Sequence, residues 1–269
     1  MTRLNGVALV TGASSGIGLA TARALAAAGF RVFGTSRKPV ESAQGITMLI
    51  CDVTDEASVR ALVEDIVAQA GRIDLVVNNA GIGLLGGAEE SSIAQAQRLF
   101  DVNVFGVARV VNAVLPLMRK QGGGRIINMS SILGLIPSPF NAFYASTKHA
   151  VEGYTESLDH EVRAFGIRAL LVEPGVTRTS FEENLTRADQ PLPVYAAERG
   201  RSESLMRTWV EAGDPPQVVA DAVVEAATAR KPKLRYCAGK QSRQVRSLRR
   251  FMPEGWVDGA LRKFNGFAA

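Results

Sequence analysis

Tyr144 and Lys148 stand four residues apart in the run Tyr144-Ala-Ser-Thr-Lys148. On a helix that spacing puts both side chains on one face, a turn apart. A free tyrosine titrates near about 10, too high for general-base work at neutrality. A neighbouring ammonium favours the phenolate and lowers that value. Such a pair can move a proton to or from a carbonyl or hydroxyl near physiological pH. Alone, the pattern arises by chance in many helices. Ser131 lies upstream, just past the apolar run Arg125-Ile-Ile-Asn-Met129. A serine at a strand's C-terminal end sits where open α/β sheets bind ligands, and its hydroxyl can donate to an oxygen as charge develops there. Asn103 is a polar residue in the apolar run DVNVFGVARVVNAVL, where a helix-start hydrogen bond is the simplest reading.

A second constellation opens the chain. Val7-Ala-Leu-Val10 reads as a strand, Thr11-Gly12-Ala13-Ser14-Ser15-Gly16-Ile17-Gly18 as a loop, and a helix follows. That context turns a glycine pattern into a candidate dinucleotide site. Gly12 permits a tight turn, Gly16 lets backbone approach a phosphate, and Gly18 lets the helix pack near the strand. The helix N-terminus then offers free N–H groups and partial positive charge to a pyrophosphate. The spacing is G-x-x-x-G-x-G rather than G-x-G-x-x-G, and in isolation the glycines need only make a turn.

These residues must be positioned by alternating elements. Strand-like runs are Val7–Val10, Val32–Thr35, Met48–Cys51, Leu75–Val77, Arg125–Met129, Ala169–Val172 and Leu234–Cys237. Their near-continuous apolar character marks strands buried on both faces of a parallel sheet. Helical stretches are predicted over Gly16–Ala28, Glu56–Ala70, Ser92–Gln121, Tyr144–Phe165 and Pro216–Ala229. Val59, Leu62, Val63, Ile66 and Val67 recur at helical spacing in the second of these. Alternation of this kind predicts a single-domain, doubly wound α/β fold with a seven-stranded, mostly parallel sheet flanked by helices. Residues 1–240 form the dinucleotide-binding catalytic domain, including a substrate loop at 180–212. Residues 241–269 form a helical C-terminal extension packed on the same domain.

Composition narrows the class. The chain has 269 residues, 46% of them hydrophobic, enough for a large core. Two cysteines, Cys51 and Cys237, cannot build a disulfide framework and suit a reducing, cytoplasmic setting. The two histidines have no matching acid or cysteine cluster, so no metal is expected. No secretory signal or membrane span is apparent. The net charge of +5 is uneven: residues 230–269 hold eleven Lys/Arg against two acids. Such a tail can touch an anionic membrane, but a solvated amphipathic helix end is the simpler reading, and no nucleic-acid partner is expected.

Taken together, these motifs resemble the short-chain dehydrogenase/reductase family over residues 5 to about 240. The resemblance is carried by TGASSGIG at 11–18, Asp52 after the third strand, NNAG at 78–81, Asn103, Ser131, YASTK at 144–148 and PGVTRT at 174–179. It implies a Rossmann-type fold and an oxidoreductase acting on a carbonyl or secondary alcohol. Tyr144 would be the acid/base, Ser131 would polarise the substrate oxygen, Lys148 would lower the Tyr144 pKa and bind the nicotinamide ribose, and Asn103 would hold a water in a proton relay. Asp52 and Val53 would contact adenine. Asn79, Ala80 and Gly81 would flank the adenosine ribose. Pro174, Gly175, Val176 and Thr179 would seat the nicotinamide carboxamide, and Ser14, Ser15 and Ile17 complete the glycine loop. A non-catalytic NADP-sensing or scaffold protein on the same fold is the alternative.

The second strand bears on the cofactor. An NAD site usually places an acid there, about 20 residues after the loop. Here Ser36, Arg37 and Lys38 follow Thr35. An acid would repel a 2′-phosphate. Serine leaves room, and the Arg37 guanidinium can clamp phosphate. The expectation is NADP(H). A basic residue before Gly16, a second family marker for that preference, is absent, and Ser15 stands there. Around the reacting centre, Leu84, Leu133, Leu135, Phe140, Phe143, Phe181, Leu185, Val194 and Tyr195 would line an apolar substrate pocket or pack a lid. The tail resembles the extension of the branch related to 17β-hydroxysteroid dehydrogenases and retinoid reductases, which points to steroid-like, retinoid-like or other lipid carbonyls, although bacterial-style members of unknown substrate share it. The family resemblance also implies a homodimer or homotetramer, paired through the helices 103–121 and 144–165.

Overall fold

A computed structural model describes residues 6–43, 45–181 and 185–266. Among these residues the strands are β1 (Val7–Val10), β2 (Arg31–Ser36), β3 (Ile46–Ile50), β4 (Leu75–Asn78), β5 (Leu84–Leu85), β6 (Gly124–Met129), β7 (Ile167–Pro174), β8 (Thr186–Arg187) and β9 (Arg235–Ala238). Seven of them form one sheet in the order β3-β2-β1-β4-β6-β7-β9. Every neighbouring pair in it is parallel. The first half winds outward from β1 and the second from β4, so the order reverses between those two strands. Ligands of doubly wound sheets bind at that crevice. Leu84–Leu85 and Thr186–Arg187 pair separately, also in parallel.

The helices are α1 (Gly16–Ala27), α2 (Glu56–Ala70), α3 (Ile93–Phe100), α4 (Gly106–Gln121), α5 (Ala142–Val162), α6 (Ala196–Glu211), α7 (Pro216–Thr228), α8 (Lys240–Phe251) and α9 (Glu254–Phe264). One face of the sheet buries Val10, Val32, Leu75, Ile127 and Leu170 against α1 and α7. The other buries Leu9, Phe33, Val76, Ile126 and Ala169 against α2, α4 and α5. Strands covered on both sides alternate between two cores, which is why their sequences read as unbroken apolar runs.

Three departures from the sequence reading matter. The expected single helix over 92–121 contains a π-helical turn at Asp101–Phe105 between α3 and α4. The 93–121 run is long and apolar enough to cross a membrane, with a mean hydropathy of 1.4. Yet Val107, Val110, Val111, Val114 and Met118 are buried in the protein core. The 180–212 segment holds β8 and the 16-residue α6. Helix α6 buries no residue, so it lacks the apolar periodicity that would have announced it.

Helix α5 carries Tyr144 and Lys148, and an ionic clamp fixes its far end. The Asp159 carboxylate, fully buried, accepts from Arg168 Nε at 2.8 Å and from the Ala169 backbone N–H at 3.0 Å. Arg163 closes the same clamp. These bonds tie α5 to β7 and hold the carboxylate below its ordinary range despite burial.

Candidate active site

The glycine loop joins β1 to α1. Gly12 and Gly16 have φ of 66° and 54°, which favours glycine. Gly18 is set by packing: a Cβ there would lie 2.5 Å from Asn79 Nδ2 and 2.9 Å from the Gly12 carbonyl carbon. Asn79 Nδ2 donates to the Thr11 and Gly12 carbonyls at 3.0 and 3.1 Å. Thr11 Oγ1 accepts from the Asn79 and Ala80 N–H groups, each at 3.0 Å. The NNAG segment thus locks the glycine loop. Ser15 places no side-chain cap on α1, and Ser14 and Ser15 are exposed. The first-turn N–H groups of Gly16, Ile17 and Gly18 therefore depend on a partner other than a capping side chain.

Opposite this loop, Pro174 ends β7 and Gly175–Phe181 cross the carboxyl edge of the sheet. A Cβ on Gly16 would sit 3.5 Å from Thr179, so the two ends of the cleft meet there. Val176 N–H donates to Gln241 Oε1 at 3.0 Å, fastening the segment to α8. At the β2 end, Ser36 is half-buried and Arg37 and Lys38 are exposed. The Asp52 carboxylate accepts from Thr54 N–H and Oγ1 at 2.9 and 2.7 Å. Those bonds hold its pKa down, with smaller help from the Arg37 and Arg109 charges. Arg37 thus lies within electrostatic reach of Asp52. Val53 is buried against Gly106, and Gly81 lies beside Asn103, where its Cβ would fall 3.3 Å from Oδ1.

The structure brings Tyr144, Ser131 and Lys148 together. Lys148 Nζ lies 5.6 Å from the centre of the Tyr144 ring and donates to the Met129 carbonyl at 3.0 Å. Ser131 follows β6, and its Oγ accepts from Leu133 N–H at 3.1 Å. Burial raises the Tyr144 pKa above its ordinary value, and the hydrogen bond with Ser131 opposes this. Burial also pulls Lys148 down to about 8, with the Glu152 charge working against it.

Asn103 lies in the π turn, a feature that often accompanies functional sites. Its side chain is engaged, not at a helix start: Nδ2 donates to Ile82 O at 2.9 Å and Thr147 Oγ1 at 3.2 Å, while Oδ1 accepts from Ile82 N–H at 2.9 Å. It therefore pins the segment after NNAG to α5.

Of the expected pocket residues, Phe181 and Leu185 close over Gly83, and the Phe181 ring lies 5.9 Å from that of Tyr144. Leu133, Leu135 and Phe143 are half-buried nearby in the chain, and Leu84 is buried in its short strand. Phe140 and Tyr195 pack edge to face at 6.2 Å. They line a separate cavity of about 920 Å³ together with Pro137, Ala145 and Leu261. Val194 is a correction: it is 78% exposed and lines neither space, because its 3₁₀ turn lies on the surface.

Several supporting residues escaped the sequence reading. Asn78 Nδ2 donates to Asn128 Oδ1 at 2.8 Å, and Asn128 Nδ2 donates to Thr155 Oγ1 at 2.9 Å, a buried chain from β4 through β6 to α5. Behind Lys148, Arg235 pairs with Glu152 at 3.0 Å and Glu173 at 3.1 Å, both buried. Burial raises Glu152 to about 7. The available signal was a polar residue inside an apolar strand, Asn128 in RIINM and Glu173 in LLVEP, since buried polar groups need partners.

Fold and site define an oxidoreductase built to bind a nicotinamide dinucleotide. The chain belongs to the short-chain dehydrogenase family, whose profile it matches over residues 6–190. A 3-ketodihydrosphingosine reductase of Bacteroides thetaiotaomicron is 38% identical over 264 residues, which cover 96% of this chain and 97% of that protein. A Burkholderia phymatum short-chain dehydrogenase/reductase solved with NAD is 28% identical, with a TM-score of 0.80 over 91% of this chain and 94% of that one. ElxO with NADP bound is 27% identical, with a TM-score of 0.73 over 88% of this chain and 99% of that one. A nicotinamide dinucleotide fits the residues present. The glycine cradle around Gly12, Gly16 and Gly18 admits close backbone approach, and the uncapped start of α1 suits its phosphates.

Proposed function

We propose that this protein is an NADP(H)-dependent reductase of the carbonyl group of a hydrophobic, lipid-like substrate (EC 1.1.1.-), with Tyr144 as proton donor. The observation that carries the reading is the meeting of Tyr144, Ser131 and Lys148 at the carboxyl edge of the sheet, beneath apolar Phe181 and Leu185. The bound cofactor supplies the hydride. Ser131 holds the substrate oxygen and donates to it as negative charge develops. Tyr144 then gives that oxygen its phenolic proton. A raised phenol pKa keeps Tyr144 protonated before the reaction, which suits reduction. The Lys148 ammonium steadies the phenolate that forms, and its Met129 bond fixes its position. Glycine-loop backbone, Asn79, Ala80, Gly81, Asp52 and Val53 hold the adenosine half, and Pro174 to Thr179 hold the nicotinamide half. A retained scaffold role without chemistry is disfavoured by the intact tetrad. The similarity to a reductase whose name gives a lipid ketone as substrate supports the lipid-like class.

NADP(H) preference rests on Ser36 and Arg37. No acid stands at the end of β2 to repel a 2′-phosphate, and the exposed Arg37 guanidinium is there to pair with one. Arg37→Ala is expected to raise the KM for NADPH about tenfold, roughly 1.4 kcal/mol, with NADH kinetics nearly unchanged. Steady-state kinetics with both cofactors decide it, and equal use of the two by the wild-type enzyme overturns the preference.

Lys148 sets a pH limb. The groups facing it are Tyr144 and Glu152 on its own helix and the Met129 carbonyl on β6, with Arg235 and Glu173 behind Glu152. The ammonium is the form that steadies a phenolate, and it is lost as pH rises through about 8. Reductive kcat/KM is expected to fall through that value. Glu152→Gln, which removes the charge favouring the ammonium, moves the limb to lower pH.

A homodimer through α4 and α5 completes the reading. Their outer surface includes Gly153 of α5, whose Cβ would meet open space, and Phe105, 52% exposed at the end of the π turn that leads into α4. Light scattering at micromolar concentration is expected to give twice the chain mass, or four times it if the dimers pair.

A further inference from the structure

Helices α8 and α9 meet at Met252-Pro253, and the corner between them presents apolar side chains that stay exposed among the described residues. Phe251 is 76% exposed, Trp256 70% and Met252 38%. Leu248, Phe251 and Met252 share a shallow groove with Arg243. Arg243, Arg249 and Arg250 are exposed on the same helix, and the Arg250 guanidinium lies 5.6 Å from the Phe251 ring centre. Over residues 240–264 seven Lys/Arg face two acids, Glu254 and Asp258. Contacts with the body fasten both helices. Ser242 Oγ donates to the Glu173 carbonyl at 2.6 Å, Val257 is buried, and Phe264 stacks on Trp209 at 4.4 Å. The corner is therefore held out from a body to which both helices are anchored.

We propose that this corner docks the enzyme on an anionic lipid bilayer, with Phe251, Met252 and Trp256 entering the interface and Arg243, Arg249 and Arg250 pairing with lipid phosphates. Aromatic and aliphatic tips ringed by arginine are the composition of side chains that settle at the headgroup boundary, where apolar bodies enter and charged heads stay wet. Each cation near an anionic leaflet adds attraction that salt weakens. A second copy docking corner to corner would bring like charges together. A nucleic acid would use the cations and rings but give Met252 and Leu248 no stacking partner. The inference does not depend on the substrate proposed above.

The test is flotation of the full chain with phosphatidylcholine vesicles, with and without about 30% phosphatidylglycerol, at low and high salt. Binding is expected to be at least about tenfold tighter to the anionic vesicles and lost at high salt. Arg249→Glu/Arg250→Glu and Phe251→Ser/Trp256→Ser each weaken it at least about tenfold. Both variants keep the wild-type circular dichroism and Tm. If one does not, Trp256→Phe replaces it: this variant stays bound and loses the blue-shifted tryptophan emission that vesicles induce in the wild type. No vesicle binding, equal binding to neutral vesicles, binding to RNA alone, or concentration-dependent self-association removed by these substitutions without vesicle binding each overturns the proposal.

Discussion

Tyr144→Phe is expected to lower kcat for carbonyl reduction about 10³-fold, roughly 4 kcal/mol, while NADPH binds as before. The substitution removes one oxygen and keeps the ring. The contact with Phe181 at 5.9 Å and the approach of Lys148 at 5.6 Å are properties of that ring, so packing survives. The proton donor and its hydrogen bond with Ser131 are lost. Lys148 does not replace it, because its ammonium is committed to the Met129 carbonyl. Ser131 remains to polarise the carbonyl, and residual turnover measures its contribution. Single-turnover kinetics give the rate, and a calorimetric titration with NADPH gives the affinity. A variant that keeps a tenth of the activity rules out Tyr144 as the acid. A variant that also loses NADPH affinity reassigns the phenol to binding.

The second large effect is at Gly18. Gly18→Ala is expected to weaken nucleotide binding at least about 100-fold, roughly 2.7 kcal/mol. The added methyl overlaps the Gly12 carbonyl oxygen and falls 2.5 Å from Asn79 Nδ2. Both are fixed: Asn79 Nδ2 holds the Thr11 and Gly12 carbonyls, and Thr11 holds the Asn79 and Ala80 amides. The start of α1 must move outward to relieve the overlap, carrying its first-turn N–H groups away from the phosphate position. Overpacking costs about 1–3 kcal/mol of stability, which a folded domain of this size tolerates. Fluorescence titration with NADPH reads the affinity and thermal melting the fold. Affinity within threefold of wild type in a folded variant means that the loop does not seat the phosphates as described.

The sheet was largely legible because its strands lie between two layers of helices. Burial on both faces writes an unbroken apolar run, and every expected strand appears within two residues of its boundaries. Helix α2 was readable to the residue, since it has one buried face and an Asp55 cap that accepts from Ala57 N–H. Helix α6 was not, because no face of it is buried. The π turn at 101–105 was hidden for another reason. An extra residue in a helical turn leaves composition and periodicity almost unchanged, and it exists to meet Ile82 and Thr147, which are distant in sequence.

The sequence alone determined the chemistry on offer: a phenol and an ammonium one turn apart, a serine after a strand, a glycine loop entering a helix, and an arginine where an acid would bar a second phosphate. Spacing within a helix or loop is local, so side-chain type and separation suffice to read it. Tertiary structure decided how those groups behave. Burial pushes Tyr144 upward against its bond with Ser131 and draws Lys148 down to about 8. Asn79 became the lock of the glycine loop, Asn103 a brace between segments, and Val194 a surface residue. Each outcome depends on solvent exclusion or on partners brought from far along the chain, and neither is written in the neighbouring residues.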